Sequence, residues 1–93
     1  MAWTVILEDE RGEKLQTLNK WFAFNYSDNV EYKLLKYLDP YGNTIFNPLQ
    51  IRDLIDDLNK LKSIESNPQI DEIIKMAIIC SNEVHTYLVF YGD

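Results

Sequence analysis

The sequence has one cysteine, one histidine and three isolated glycines, and each scarcity excludes a kind of site. A single cysteine, Cys80, cannot form an internal disulfide and is typical of a reducing compartment. Cys80 and His85 together cannot complete a structural zinc site. The glycines stand far apart, so no glycine-rich phosphate-binding loop is present. We therefore expect no disulfide framework, no metal and no cofactor.

Basic residues and long apolar runs are also few. The 93 residues carry 9 Lys and Arg against 15 Asp and Glu, which gives a net charge of −6. This balance repels phosphate backbones, so we expect no nucleic-acid binding, whereas a basic protein partner would be attracted. Moderate acidity can equally serve solubility alone. Without a long apolar run or a basic, cleavable leader, we expect no membrane segment, no signal peptide and a cytoplasmic location.

The residues that are present suffice for one core. Apolar residues make up 46% of the chain and aromatic residues 13%, and no linker interrupts residues 1–93, so a single domain is expected. Residues 13–24 fit either a strand or a helix, and their β-prone aromatic residues favour the strand. Residues 25–30 are predicted to form a loop. The other predicted strands are residues 3–8, 31–38, 44–46 and 85–91, the last expected inside the sheet because it is apolar on both sides.

Residues 39–50, DPYGNTIFNPLQ, predict a turn, a short strand and a helix start in succession. In the Asp-Pro-Tyr-Gly sequence at 39–42, Asp accepts a local hydrogen bond, Pro presets φ and Gly tolerates a positive φ. This places Tyr41 at the tip of a type I turn. In the Asn-Pro-Leu-Gln sequence at 47–50, Asn caps a helix, Pro suits its first position, and Gln completes a capping box.

Two helices are predicted after this start. Apolar residues at helical spacing indicate a first helix over about residues 48–63, and Asn67-Pro68 indicates the start of a second. The element order is then four strands, two helices and one strand. It predicts an α+β fold: an antiparallel or mixed sheet of about five strands with two helices packed on one face.

Three carboxylates, Asp53, Asp56 and Asp57, lie along the first half of the first predicted helix. They could bind a cation or form an acidic docking surface for a protein. A calcium site needs oxygens that converge from irregular backbone, so no metal is predicted. The alternative is a solvated helix face on which Lys60 pairs with Asp56 and the early acids favour the helix dipole. We predict that Asp53, Asp56, Asp57 and Tyr41 bind a protein partner.

No residue set indicates catalysis. His85 could act as a general base, but Cys80, five residues earlier at the end of an apolar helix, is typical of a buried small hydrophobe. One Cys and one His do not define a nucleophilic site. We therefore predict no catalytic residues. Six tyrosines and two tryptophans suit anchors of a protein interface, although they could equally cover a small sheet.

The run LLKYLDPYGNTIFNPLQI, the two helices after it and the closing strand HTYLVFYGD resemble small acidic bacterial immunity proteins, which are encoded beside polymorphic or contact-dependent toxins. The resemblance covers the layout of residues 31–93 and carries over no functional residue. It implies a non-enzymatic module that neutralises a basic toxin domain by covering its active cleft. The alternative is a small-ligand-binding or regulatory domain with a pocket between sheet and helices.

Overall fold

The computed structural model describes residues 2–25 and 29–92 as a four-stranded antiparallel sheet with two helices on one face. The predicted α+β class is confirmed, with four strands in the described residues where about five were expected. The strands run in the order β2-β1-β4-β3 across the sheet. Their bounds are β1 (Trp3–Asp9), β2 (Lys14–Thr17), β3 (Asn43–Phe46) and β4 (Thr86–Gly92), and the helices are α1 (Ile51–Ile64) and α2 (Pro68–Asn82).

The two ends of the chain form the centre of the sheet. Strand β1 pairs with β4 along its whole length, and β4 is enclosed between β1 and β3, as its apolar sequence predicted. Alternate side chains of both strands face the helices because successive residues of a strand point to opposite faces. Val5 lies opposite Phe90 and Leu7 opposite Leu88, and these four residues form the floor of the core.

The prediction of a strand over residues 31–38 is wrong. Leu35–Tyr37 form a 3₁₀ helix, and β3 pairs with β4 instead of with this segment. Tyr32 and Leu35 are both buried, whereas a strand would place residues three apart on opposite faces of the sheet.

The strand interpretation of residues 13–24 is confirmed in part. Strand β2 covers Lys14–Thr17, and Phe22 then forms an isolated bridge to Trp3, with hydrogen bonds of 2.8 Å in both directions. No helix forms in this stretch. The predicted loop at 25–30 includes residues 26–28, which lie outside the described residues.

The side-chain hydrogen bonds predicted at both helix starts are present. The Asn47 N–H donates to Gln50 Oε1 at 2.9 Å, and the Gln50 N–H donates to Asn47 Oδ1 at 3.1 Å, which is a reciprocal capping box. Helix α1 itself begins later than predicted, at Ile51, because the intervening residues form a tight turn. At α2, Asn67 Oδ1 accepts from the Gln69 N–H at 3.0 Å. Neither described helix is long and apolar enough to cross a membrane.

The predicted turn at residues 39–42 is present and is fixed to the end of the sheet. The Tyr41 N–H donates to Asp39 Oδ1 at 2.9 Å, and the Gly42 N–H points to the Asp39 carbonyl at 3.4 Å. Two bonds to the sheet hold the turn: Trp3 Nε1 donates to the Asp39 carbonyl at 3.0 Å, and the Gly92 N–H donates to the Gly42 carbonyl at 2.8 Å. The turn therefore docks where β1 begins and β4 ends.

We predict that Gly92→Ala destabilises the protein by about 1–3 kcal/mol, because the new methyl group overpacks a rigid contact. Its Cβ would lie 2.5 Å from the Asp39 carbonyl oxygen and 2.6 Å from Pro40 backbone atoms. Gly42→Ala is the matched control, since its Cβ would meet the movable Asp39 carboxylate at 2.6 Å. Urea unfolding measures both variants. Equal stability losses would contradict the docking of the turn on β4.

Candidate protein-binding surface

Asp57 lies inside the molecule and binds backbone. Helix α1 turns this side chain toward residues 33–35, and the residue is fully buried. Its two carboxylate oxygens accept the N–H groups of Lys33 at 2.9 Å, Leu34 at 2.6 Å and Leu35 at 2.9 Å. These groups precede or open the 3₁₀ helix and have no helical partner of their own. Of the three predicted aspartates, Asp57 is thus the one that does not reach the surface.

Asp53 and Asp56 are half-exposed and share one lysine. Lys33 Nζ lies 3.4 Å from Asp53 Oδ1 and 3.3 Å from Asp56 Oδ2. The hydrogen bond that Lys33 donates to Asp56, followed by the one it donates to Asp53, raises the pKa of Lys33 above its usual value. The expected pairing of Lys60 with Asp56 is wrong, since Lys60 Nζ donates to the Glu31 carbonyl at 2.9 Å. Two carboxylates against one ammonium leave a net charge of −1 at this cluster.

Tyr41 is placed apart from the aspartates. It is 78% exposed at the tip of its turn, which precedes β3, whereas the aspartates belong to the helix that follows β3. Because the chain crosses the length of β3 between them, Tyr41 lies at the far end of that strand from the start of α1. The prediction that Tyr41, Asp53 and Asp56 contact a partner stays a prediction, whereas for Asp57 it is wrong, because that carboxylate is fully buried.

Cys80 and His85 have separate environments. Cys80 is fully buried and its Sγ lies 3.6 Å from Thr86 Oγ1, while burial raises the pKa of its thiol and so disfavours the reactive thiolate. His85 is largely exposed, and its Nδ1 lies 3.4 Å from Glu10 Oε2. Within residues 2–25 and 29–92, no three His, Cys, Asp or Glu side chains are grouped so as to hold a metal ion.

Sequence reasoning missed an apolar surface that we call the Tyr87 patch, formed by Ile45, Leu49, Val84 and Tyr87. Leu49 is 92% exposed and Val84 81% exposed, and both line a surface depression of about 480 Å³ together with Tyr87. Tyr87 also lines the neighbouring depression, which contains Ile45, 60% exposed. One sequence signal was available: Leu49 falls outside the buried helical stripe that begins at Ile51.

The face of the sheet opposite the helices carries a second tyrosine contact. Ile6 and Val89 point to this face, yet both are buried. The Tyr91 hydroxyl donates a hydrogen bond to Glu8 Oε2 across them, because Tyr91 and Glu8 lie on the same face at either end of this apolar pair. This hydrogen bond raises the pKa of Tyr91 to about 12.

Comparison with protein-family models, curated proteins and solved structures gave no match to this chain. The resemblance to immunity proteins therefore rests on the layout of residues 31–93 alone.

We predict that Asp57→Ala lowers the free energy of unfolding by at least about 2 kcal/mol. The substitution removes the charged acceptor of the N–H groups of residues 33–35 and leaves them without a partner inside the protein. Asp56→Ala is the matched control on the same helix. It loses only an exposed ion pair, so its cost should stay within about 0.5 kcal/mol. Denaturant unfolding of both variants checks this, and similar costs would show that the Asp57 contacts contribute little.

We predict that Tyr91 of the native protein ionises at a pKa of about 12 and that this step is absent from Tyr91→Phe. The folded chain favours the neutral phenol, so the stabilisation is complete below pH 10.0 and is lost as the pH rises from there to about 12. Alkaline titration of tyrosinate absorbance measures the step, with Tyr87→Phe as the control. A late step that persists in Tyr91→Phe would reject the assignment.

Proposed function

We propose that this chain is a non-enzymatic protein-binding module that acts in the cytoplasm as an immunity protein. In this proposal it neutralises a cognate bacterial toxin by covering the active cleft of a basic toxin domain. The observation that carries the proposal is Tyr41: an aromatic side chain 78% exposed on a turn that hydrogen bonds fix to the sheet, in a chain with a net charge of −6.

A fixed, exposed tyrosine is suited to anchor a protein interface. Tyrosine is enriched among the residues that dominate binding energy, since its ring buries a large area and its hydroxyl finds a polar partner. The bonds from Trp3 Nε1 to the Asp39 carbonyl and from Gly92 to Gly42 order the turn in the free protein. Little conformational entropy is then lost when Tyr41 is buried by a partner.

The acidic pair on α1 supplies electrostatic attraction. Asp53 and Asp56 are half-exposed, and the Lys33 ammonium between them is itself on the surface. An arginine of a basic partner could bind the same oxygens and displace Lys33, because a guanidinium binds carboxylates in bidentate geometry. A net charge of −6 would also speed the encounter with a positively charged cleft. Asp57 takes part indirectly, since its bond to the Lys33 N–H positions that lysine.

The alternative function, a small-ligand-binding or regulatory domain, requires a pocket between sheet and helices. In the described part of the chain, the centre of that space is occupied by packed side chains such as Leu54 and Phe90, both fully buried. A surface depression of about 470 Å³ remains at its edge, between the end of β2 and α2. A thermal-shift screen distinguishes the two functions. Stabilisation by a small molecule, in the absence of any protein partner, would favour the pocket.

The test of the immunity function uses the product of the upstream neighbouring gene. We expect this product to co-purify with the chain and cells that express it to survive only when the chain is present. Tyr41→Ser should weaken binding about tenfold or more, as expected for an interface anchor. The double variant that carries Asp53→Asn and Asp56→Asn should also bind the toxin domain more weakly than the wild type at low salt.

Matched control variants distinguish the loss of a direct contact with the partner from a general change in the surface of the protein. Tyr37→Ser removes another exposed tyrosine, and Asp71→Asn removes an exposed aspartate paired with Lys62 on the helical hairpin. Both controls should bind like the wild type. Absence of binding together with absence of protection would reject the immunity function. Binding that survives the Tyr41 and aspartate variants would reject this surface.

A further inference from the structure

The Tyr87 patch brings together residues from four segments. Leu49 belongs to the turn before α1, Val84 to the loop after α2, and Ile45 to strand β3, while Tyr87 on β4 joins the two depressions they line. A single exposed apolar residue is common on proteins, but a contiguous apolar surface marks an interaction site.

The rim of the patch carries one sign of charge. The described residues that line its two depressions include four carboxylates and no lysine or arginine. Glu10 and Glu83 are exposed, whereas Glu8 is buried against the Tyr91 hydroxyl and Asp9 Oδ1 accepts the N–H groups of Arg11 and Glu13. The one histidine there, His85, pairs with Glu10. An apolar surface within an acidic rim is complementary to an apolar side chain flanked by basic residues. A second copy of this chain would instead bring its own carboxylates against this rim, and like charges oppose that contact.

We propose that the Tyr87 patch is a docking surface for a basic segment of a partner protein, in which a leucine or an aromatic side chain is flanked by lysine or arginine. The apolar side chain lies against Leu49, Val84 and Tyr87, and the flanking cations pair with the carboxylates of the rim. This surface is distinct from Tyr41 and does not require that the partner be a toxin.

The test is a nuclear magnetic resonance titration of the whole ¹⁵N-labelled chain with the capped peptide KRLWRK. We expect saturable shifts at the amides of Ile45, Val84 and Tyr87, and an affinity that falls as salt is added. The peptide KRSSRK, which lacks the apolar anchor, should bind at least about tenfold more weakly than KRLWRK. The acidic peptide EDLWDE should produce no saturable shift.

The variant Leu49→Ser with Val84→Ser should lower the affinity for KRLWRK about tenfold, because it removes most of the exposed apolar surface of the patch. Both positions are more than four-fifths exposed, so the fold should persist and the spectrum should stay dispersed. Ile64→Ser, at an exposed isoleucine of α1 outside the patch, is the control and should bind like the wild type.

Three results would overturn the proposal. One is the absence of saturable shifts with KRLWRK at millimolar peptide. Another is binding that maps elsewhere, or that EDLWDE reproduces. The third is a dimer of the free chain in analytical ultracentrifugation that dissociates in the Leu49 and Val84 variant, since the occupant would then be a second copy. None of these results bears on the immunity test, which scores Tyr41 and the neighbouring gene product.

Discussion

The buried carboxylate of Asp57 is the contact on which the arrangement of the chain depends. It satisfies the N–H groups of residues 33–35 and holds this segment against α1. Removing a carboxylate from water is costly, and three charge-assisted hydrogen bonds offset that cost. With residues 33–35 bound to a helix side chain, the segment cannot serve as a sheet strand. Strand β3 pairs with β4 instead, which gives the order β2-β1-β4-β3.

The same contact separates the acidic residues of α1 into two roles. Asp57 faces inward and stabilises the fold, whereas Asp53 and Asp56 face outward and hold the Lys33 side chain. Leu49, in the turn before α1, belongs to the Tyr87 patch. The surface next to the helix start thus combines apolar contact area with unneutralised carboxylates, and Tyr41 offers a separate aromatic anchor at the other end of β3. Both features suit a basic protein partner.

The features that could be predicted from sequence are those held by local hydrogen bonds. Asn47 and Gln50 form their capping box, and the turn at 39–42 forms, because donor and acceptor lie within three residues of each other. Residues 31–38 could not be assigned in this way. Their conformation depends on Asp57, more than twenty positions further along the chain, and an aspartate among other acids on a helix gives no sign that it is buried.

The candidate site likewise has one part that local sequence determines and one part that depends on distant residues. The exposure of Tyr41 follows from its turn, which the sequence encodes directly. The Tyr87 patch could not be found from sequence, since Leu49 and Val84 meet only when the end of α2 returns to the start of α1. The most direct test is the association rate of the chain with the proposed basic toxin domain, measured by stopped flow against ionic strength. We expect the rate to fall steeply with added salt, and less steeply for Asp53→Asn with Asp56→Asn, whereas a rate independent of salt and of both substitutions would contradict electrostatic docking of a basic partner.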